Sequence, residues 1–286
     1  MSDVMVRTSN LRFAYPQHEG LFRRSIQREV IKGVDLAVPR GSVLGLVGES
    51  GSGKTTFGRL LVRLLRPTSG SIQFDGVEIG ELDDAALRPL RARIQMIFQD
   101  PQSSLNPRLR LGTTLTRPLS AYGRLKGRQD QRARAAALLD LVGLPAEFAH
   151  RYPNELSGGQ RQRAGIARAL ALEPDFIVAD EIVSGLDVST QAHIVLLLKE
   201  LRARLGLTMV FISHDLSLVR VICDDVAILY RGEVVEYGPV VRVFGAPQHD
   251  YTRQLLAAIP LPDVEPGWLD DSPPPRSNHP APSKRA

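Results

Sequence analysis

The run Gly48-Glu49-Ser50-Gly51-Ser52-Gly53-Lys54-Thr55 places glycines, a lysine and a hydroxyl residue at fixed offsets. It fits the pattern G-x-x-x-x-G-K-[ST], which cradles phosphate. Glycines let backbone N–H groups turn inward around phosphate oxygens, and a helix starting there adds its positive end. Lys54 has the reach for the β- and γ-phosphates of a nucleoside triphosphate, and Thr55 offers a hydroxyl to Mg²⁺. Gly48 through Thr56 are therefore the candidate nucleotide-binding residues. The pattern alone indicates a triphosphate and leaves the machine open.

That chemistry needs a strand before the loop and a helix after it. Val43 to Val47 is a short apolar run that reads as a buried strand, and Lys54 to Leu65 has helical spacing ended by Pro67. Further strands are expected at Arg93–Phe98, Phe176–Ala179 and Thr208–Ser213. Hairpins are expected over Ser71–Ile79, around Asp75-Gly76, and over Val226–Tyr237, around Gly232. Helices are expected at Gln129–Val142, Gly158–Leu172, Thr190–Leu205 and Thr252–Ala258. Strands alternating with helices predict an α/β fold with a mostly parallel core sheet, an antiparallel β subdomain and a helical insertion at about 100–172. One domain is expected over 1–262. From Pro260 the composition turns to Pro, Ser and Asp, which predicts a disordered tail over 263–286.

Composition narrows the class. The longest apolar stretches, such as Ile194–Leu198, fall short of the roughly 18 residues of a membrane span. No basic-then-apolar leader follows Met1, so no secretory signal is expected. Cys223 is the only cysteine, which rules out an internal disulfide or a cysteine metal cage. The net charge of +5 is scattered and partly in the tail, so a solvated surface is expected rather than a nucleic-acid site.

A second glycine-rich site lies at Leu156-Ser157-Gly158-Gly159-Gln160. Ser157 can cap the helix that begins at Gly158, where exposed N–H groups form another anion site. Here the chain resembles the ATP-binding cassette (ABC) family, whose signature motif this is. The other motifs follow in the family's order. Tyr15 stands where the family stacks an aromatic on adenine. Gln99 matches the Q-loop glutamine. Phe176 to Glu181 resembles the Walker B strand with its catalytic glutamate. Ser184-Gly185-Leu186-Asp187 resembles the D-loop, and His214 matches the H-switch. The resemblance spans about residues 5 to 260 and departs from the pattern at Ile182, where the family usually has proline.

The resemblance implies an ATPase using ATP and Mg²⁺. Glu181, His214 and Gln99 would be catalytic: Glu181 orients or deprotonates the attacking water, and His214 senses the γ-phosphate. Thr55, Gln99 and Asp180 would surround the metal. Ser157, Gly158, Gly159 and Gln160 would cap the ATP of a second cassette, so a homo- or heterodimer is implied.

Within the family, Phe98 to Arg108, the basic loop Gln17 to Arg28 and the stretch Pro247-Gln248-His249-Asp250-Tyr251-Thr252 resemble the oligopeptide/dipeptide importer ATPases. That implies two transmembrane permease subunits, a second ABC ATPase subunit and an extracytoplasmic solute-binding protein, with no nucleic acid. It places the chain peripherally on the cytoplasmic face of the cell membrane. The alternatives are a non-transport ABC ATPase of DNA repair or translation, a small P-loop kinase or GTPase, and an inactive nucleotide-binding subunit. The signature, Glu181 and His214 disfavour the kinase or GTPase, and the intact Lys54, Asp180, Glu181 and His214 disfavour the inactive site.

Overall fold

The structure, a computed structural model, describes residues 3–17, 26–100 and 105–258. Most of the basic loop, residues 101–104 of the Q-loop stretch, and the expected tail lie outside the described residues.

Ten strands among the described residues form two sheets. The larger holds β3 (Val43–Val47), β6 (Ile94–Ile97), β7 (Phe176–Asp180), β8 (Thr208–Ile212), β9 (Asp225–Tyr230) and β10 (Glu233–Pro239). Its order is β10-β9-β3-β8-β7-β6, parallel except for the β9–β10 hairpin. The smaller is antiparallel, with β1 (Val4–Gln17), β2 (Ile26–Pro39), β4 (Ser69–Phe74) and β5 (Val77–Glu78) in the order β2-β1-β4-β5.

β3, β7 and β8 are buried at every position. That explains their unbroken apolar runs, because a parallel sheet is covered on both faces. Alternate side chains enter two cores. Leu44, Leu46, Phe176, Val178, Val210 and Ile212 face the antiparallel sheet and helix α1 (Lys54–Leu61), which contributes Phe57, Leu60 and Leu61. Val43, Val47, Ile177, Ala179, Met209 and Phe211 join the opposite core with the helices. Each fully buried Leu, Ile or Phe contributes about 1.5–3 kcal/mol. The phosphate loop is thus anchored by packing at both ends.

Helices α3 (Leu111–Ala121), α4 (Arg128–Leu141) and α5 (Gly158–Leu170) fill the segment before β7, where no strand occurs among the described residues. Helix α6 (Val188–Leu205) starts two residues before expectation because Asp187 caps it, accepting from Thr190 N at 2.9 Å. Helix α1 ends earlier than its apolar spacing predicts. Arg63 takes φ 53°, a left-handed turn, and its guanidinium donates to the carbonyls of Ile79, Leu65 and Leu82. Those bonds tie the end of α1 to the antiparallel sheet.

Helix α3 and three further helices, α2 (Asp84–Arg93), α7 (Leu216–Ile222) and α8 (Val240–Gly245), were not individually expected from the sequence, and α9 (Asp250–Ala257) closes the described chain. A chain of charges stitches the two sheets. Asp75, in the β4–β5 turn, accepts from Arg40 at 2.5 Å and from Arg93 at 2.6 Å, and Arg93 also holds Asp175.

Candidate active site

The loop after β3 is built for an anion. A Cβ at Gly48 would lie 2.1 Å from the Leu229 carbonyl oxygen, so only glycine fits there. The loop wraps Lys54, whose Nζ donates to the carbonyls of Gly48 at 2.7 Å and Glu49 at 2.9 Å. Burial pushes the Lys54 ammonium below its ordinary value, and the charges of Glu181, Asp180 and Glu49 oppose that shift. A third N–H of the ammonium remains for a ligand. The Ser52 hydroxyl is buried without a hydrogen-bond partner. Such a group costs about 1–3 kcal/mol unless something accepts from it. The first-turn N–H groups of α1 likewise have no partner within their helix. The Lys54 ammonium and the first-turn N–H groups of Lys54, Thr55 and Thr56 line one cleft and fit the phosphates of a nucleotide.

Acidic and hydroxyl oxygens stand beside them. Thr55 Oγ1 donates to Asp180 Oδ1 at 3.0 Å. Asp180 is 3% exposed, and burial raises its carboxyl above the ordinary value while the Thr55 bond lowers it. No group of three or more His, Cys, Asp or Glu side chains forms a metal cage among the described residues. One hydroxyl and one carboxylate do suit a Mg²⁺ that completes its shell with water and phosphate oxygens.

Glu181 follows at the C-terminal end of β7 with φ 46°. Its N–H is held by the Ile212 carbonyl at 3.0 Å, so the strand pairing continues while the side chain turns toward the loop. Gln99 Nε2 donates to Glu181 Oε2 at 3.1 Å. His214 Nδ1 lies 3.8 Å from the same oxygen. Three residues from three strand ends therefore meet at one carboxylate.

A cleft of about 590 Å³ is lined by Gln99 and Glu181 of this group and not by His214. Lys54, Thr55, Thr56, Gln99 and Glu181 line one part. Tyr15 forms the far wall, edge-on to Phe13 with ring centroids 4.7 Å apart and its hydroxyl 3.4 Å from Thr56 Oγ1. Pro16, Arg28 and Val30 also line the cleft, and the motif pattern did not single them out as site residues. For Arg28 the available signal was a basic insertion one strand away from an anion loop.

Ser157, Gly159 and Gln160 line a different cleft, of about 400 Å³, together with Thr190 and His193. Ser157 Oγ accepts from Gln160 N at 3.3 Å, and Gln160 Oε1 accepts from Ser157 N at 2.9 Å. This reciprocal cap fixes the start of α5. A Cβ at Gly159 would sit 2.6 Å from Thr190 Cγ2, which explains the glycine.

Residues 31–184 match the protein-family model described as ABC transporter. A provisionally named peptide import ATP-binding protein of Brucella ovis is 53% identical over 242 residues, covering 85% of this chain and 76% of the relative. The chain belongs to the ABC transporter family. A similarly named Brucella abortus protein is 52% identical over 238 residues, 83% of this chain and 71% of the relative. Among solved structures, a dimeric ATP-binding cassette in a post-hydrolysis state bound to ADP and Pi is similar at TM-score 0.72. It shares 33% identity over 82% of this chain and 99% of that one. A Clostridium perfringens protein described as part of an ABC transporter complex reaches TM-score 0.73 at 27% identity, over 90% of this chain and 96% of that one. This ABC chain is accordingly an ATP-binding, ATP-hydrolysing cassette, and no helix among its described residues is long and apolar enough to cross a membrane.

Proposed function

We propose that this cassette powers uptake of peptides or related small solutes across the cytoplasmic membrane, hydrolysing ATP with Mg²⁺. The observation that carries the chemistry is the convergence of Gln99 and His214 on Glu181 at the mouth of the cleft lined by Lys54. Glu181 acts as general base or orienter for the attacking water. Gln99 holds that carboxylate, and His214 is placed to hydrogen-bond the γ-phosphate. Lys54, Ser52 and the loop N–H groups bind the phosphates, and Tyr15 stacks on adenine. Thr55, Asp180 and Gln99 would hold Mg²⁺, which when bound would neutralise negative charge on the phosphates.

The cargo class rests on the relatives' names. The proposed domain is 1–262, with its helical subdomain at about 100–172. The proposed partners are two permeases, a second cassette and an extracytoplasmic solute-binding protein, with no nucleic acid, on the cytoplasmic face of the membrane. Support for permease docking comes from a hollow of about 240 Å³ between β6, α3 and α5, lined by Leu64, Met96, Phe98, Pro118 and Gln162. It adjoins Gln99, so a permease helix seated there would sense the nucleotide.

Glu181→Gln should still bind ATP but lose turnover by about 10²- to 10⁴-fold in a phosphate-release assay. Near-normal turnover would remove Glu181 from the mechanism. Co-expression with the permeases should move the chain to the membrane fraction. A chain that stays soluble with them, yet holds DNA or ribosomes at physiological salt, would overturn the transport reading.

A further inference from the structure

The stretch Pro247 to Thr252 has no part in the chemistry above, yet it touches the phosphate loop. Tyr251, on α9, is 5% exposed and stacks on Tyr230 at the end of β9, with centroids 4.1 Å apart and planes at 29°. Its hydroxyl accepts the backbone N–H of Glu49 at 2.9 Å. The helix that carries it is held in place. His249 Nδ1 accepts from Tyr251 N at 3.1 Å, and Glu236 on β10 accepts from Gln248 N at 3.0 Å and His249 N at 3.1 Å.

The Glu49 N–H belongs to the same peptide unit as the Gly48 carbonyl. A trans peptide is planar, and its N–H and C=O point to opposite sides. No cis peptide occurs among the described residues. Tyr251 holds the outer edge of this unit, and Lys54 Nζ bonds its inner edge at 2.7 Å. Tilting the plane away from Tyr251 would break the bond from the Glu49 N–H and carry the carbonyl off the ammonium.

We propose that Tyr251 is a positioning residue of the nucleotide site: it fixes the Gly48–Glu49 peptide and through it aims Lys54 at the phosphates. This rests on the reading of the loop as the ATP site. It gives the C-terminal stretch a role in nucleotide binding.

The test is a double-mutant cycle on the full chain, with Tyr251→Phe, Lys54→Ala and the pair, each titrated with Mg-ATP to millimolar concentration. Tyr251→Phe keeps the ring stack and removes one oxygen. It should weaken ATP binding about fivefold in the native background, the size of one lost hydrogen bond. With Lys54→Ala present it should cost less than about twofold, because coupled residues are not additive. Wild-type affinity for Tyr251→Phe, or an equal loss in both backgrounds, would overturn the positioning role while leaving the ATP site standing. Wild-type affinity for Lys54→Ala would instead overturn the ATP-site reading and the inference with it.

Discussion

At the scale of single residues, Glu181, the proposed general base, is held in an unfavourable conformation. A non-glycine residue at positive φ costs on the order of 1–3 kcal/mol and persists only where its surroundings impose it. The bonds Glu181 N to Ile212 O and Ser184 N to Glu181 O, both 3.0 Å, close the turn. The next side chain, Ile182, is 1% exposed and sits in the helix-side core. Proline, usual there in the family that the motifs resemble, would stiffen the turn through its ring; isoleucine anchors it through burial. Ile182→Ala should therefore destabilise the chain by about 2–5 kcal/mol in denaturant unfolding. A loss below about 1 kcal/mol would show that the turn does not depend on this side chain. Asp180, Glu181 and His214 could be picked out in sequence because each sits at or just after the end of an apolar strand, and Lys54 because it follows a glycine loop at the start of a helix. The hydrogen bond of Gln99 to Glu181 was not, since it spans 82 residues and depends on β6 and β7 being neighbours. Tyr251 was noticed only as part of a motif, because its partner lies 202 residues away.

Between elements, α5 and α6 approach closely where Gly159 meets Thr190. Thr190 cannot easily yield, because Asp187 holds its hydroxyl at 2.7 Å and its N–H at 2.9 Å. Gly159→Ala should cost about 1–3 kcal/mol as the helices part, and Thr190→Ser in the same chain should restore most of it by removing the opposing methyl. Thermal unfolding of the wild type and the two variants decides this; a double variant no better than Gly159→Ala would place the strain elsewhere.

The β4–β5 turn makes a pH-dependent prediction. Arg93 and then Arg40 hold the Asp75 carboxyl below its ordinary value through hydrogen bonds. A depressed folded value stabilises above the unfolded pKa and is lost as pH falls through the folded one. Asp75→Asn keeps a residue tolerant of φ 52° but removes the charge. It should lower stability by up to about 1 kcal/mol near neutrality, and the gap from wild type should close below about pH 4. A gap that persisted at low pH would mean the turn, not the charge, was affected. Helices α2 and α3 escaped the sequence reading because Pro89 and Pro118 sit inside them, where proline usually ends a helix. Tertiary burial of Leu87 in one and of Leu111, Leu115 and Leu119 in the other outweighs that preference.

For the whole molecule, the alternation of strands and helices made the parallel sheet legible, and the Asp75-Gly76 and Gly232 turns marked the antiparallel pieces. The long bulged pairing of β1 with β2 was less so, because its register shifts between Thr8 and Leu11 and again beyond Phe13. No period-two pattern survives such slips. In the proposed assembly, two chains enclose each nucleotide. The Glu181→Gln variant should then sediment as a dimer with Mg-ATP and as a monomer without it. A species that stays monomeric at micromolar concentration with saturating ATP would contradict the shared site.

The separation of the Ser157 cleft from the Lys54 cleft within one chain has a thermodynamic consequence. If ATP is completed by a neighbour's signature, the nucleotide and the second chain are linked ligands, each raising the affinity of the other. The half-saturation concentration of ATP would then fall as chain concentration rises, so titrations of dilute and concentrated samples would disagree. Attachment of two cassettes to one pair of permeases would replace bulk concentration by an effective one, on the order of millimolar for short tethers. The membrane partners would thus set the nucleotide response of the motor without touching the nucleotide.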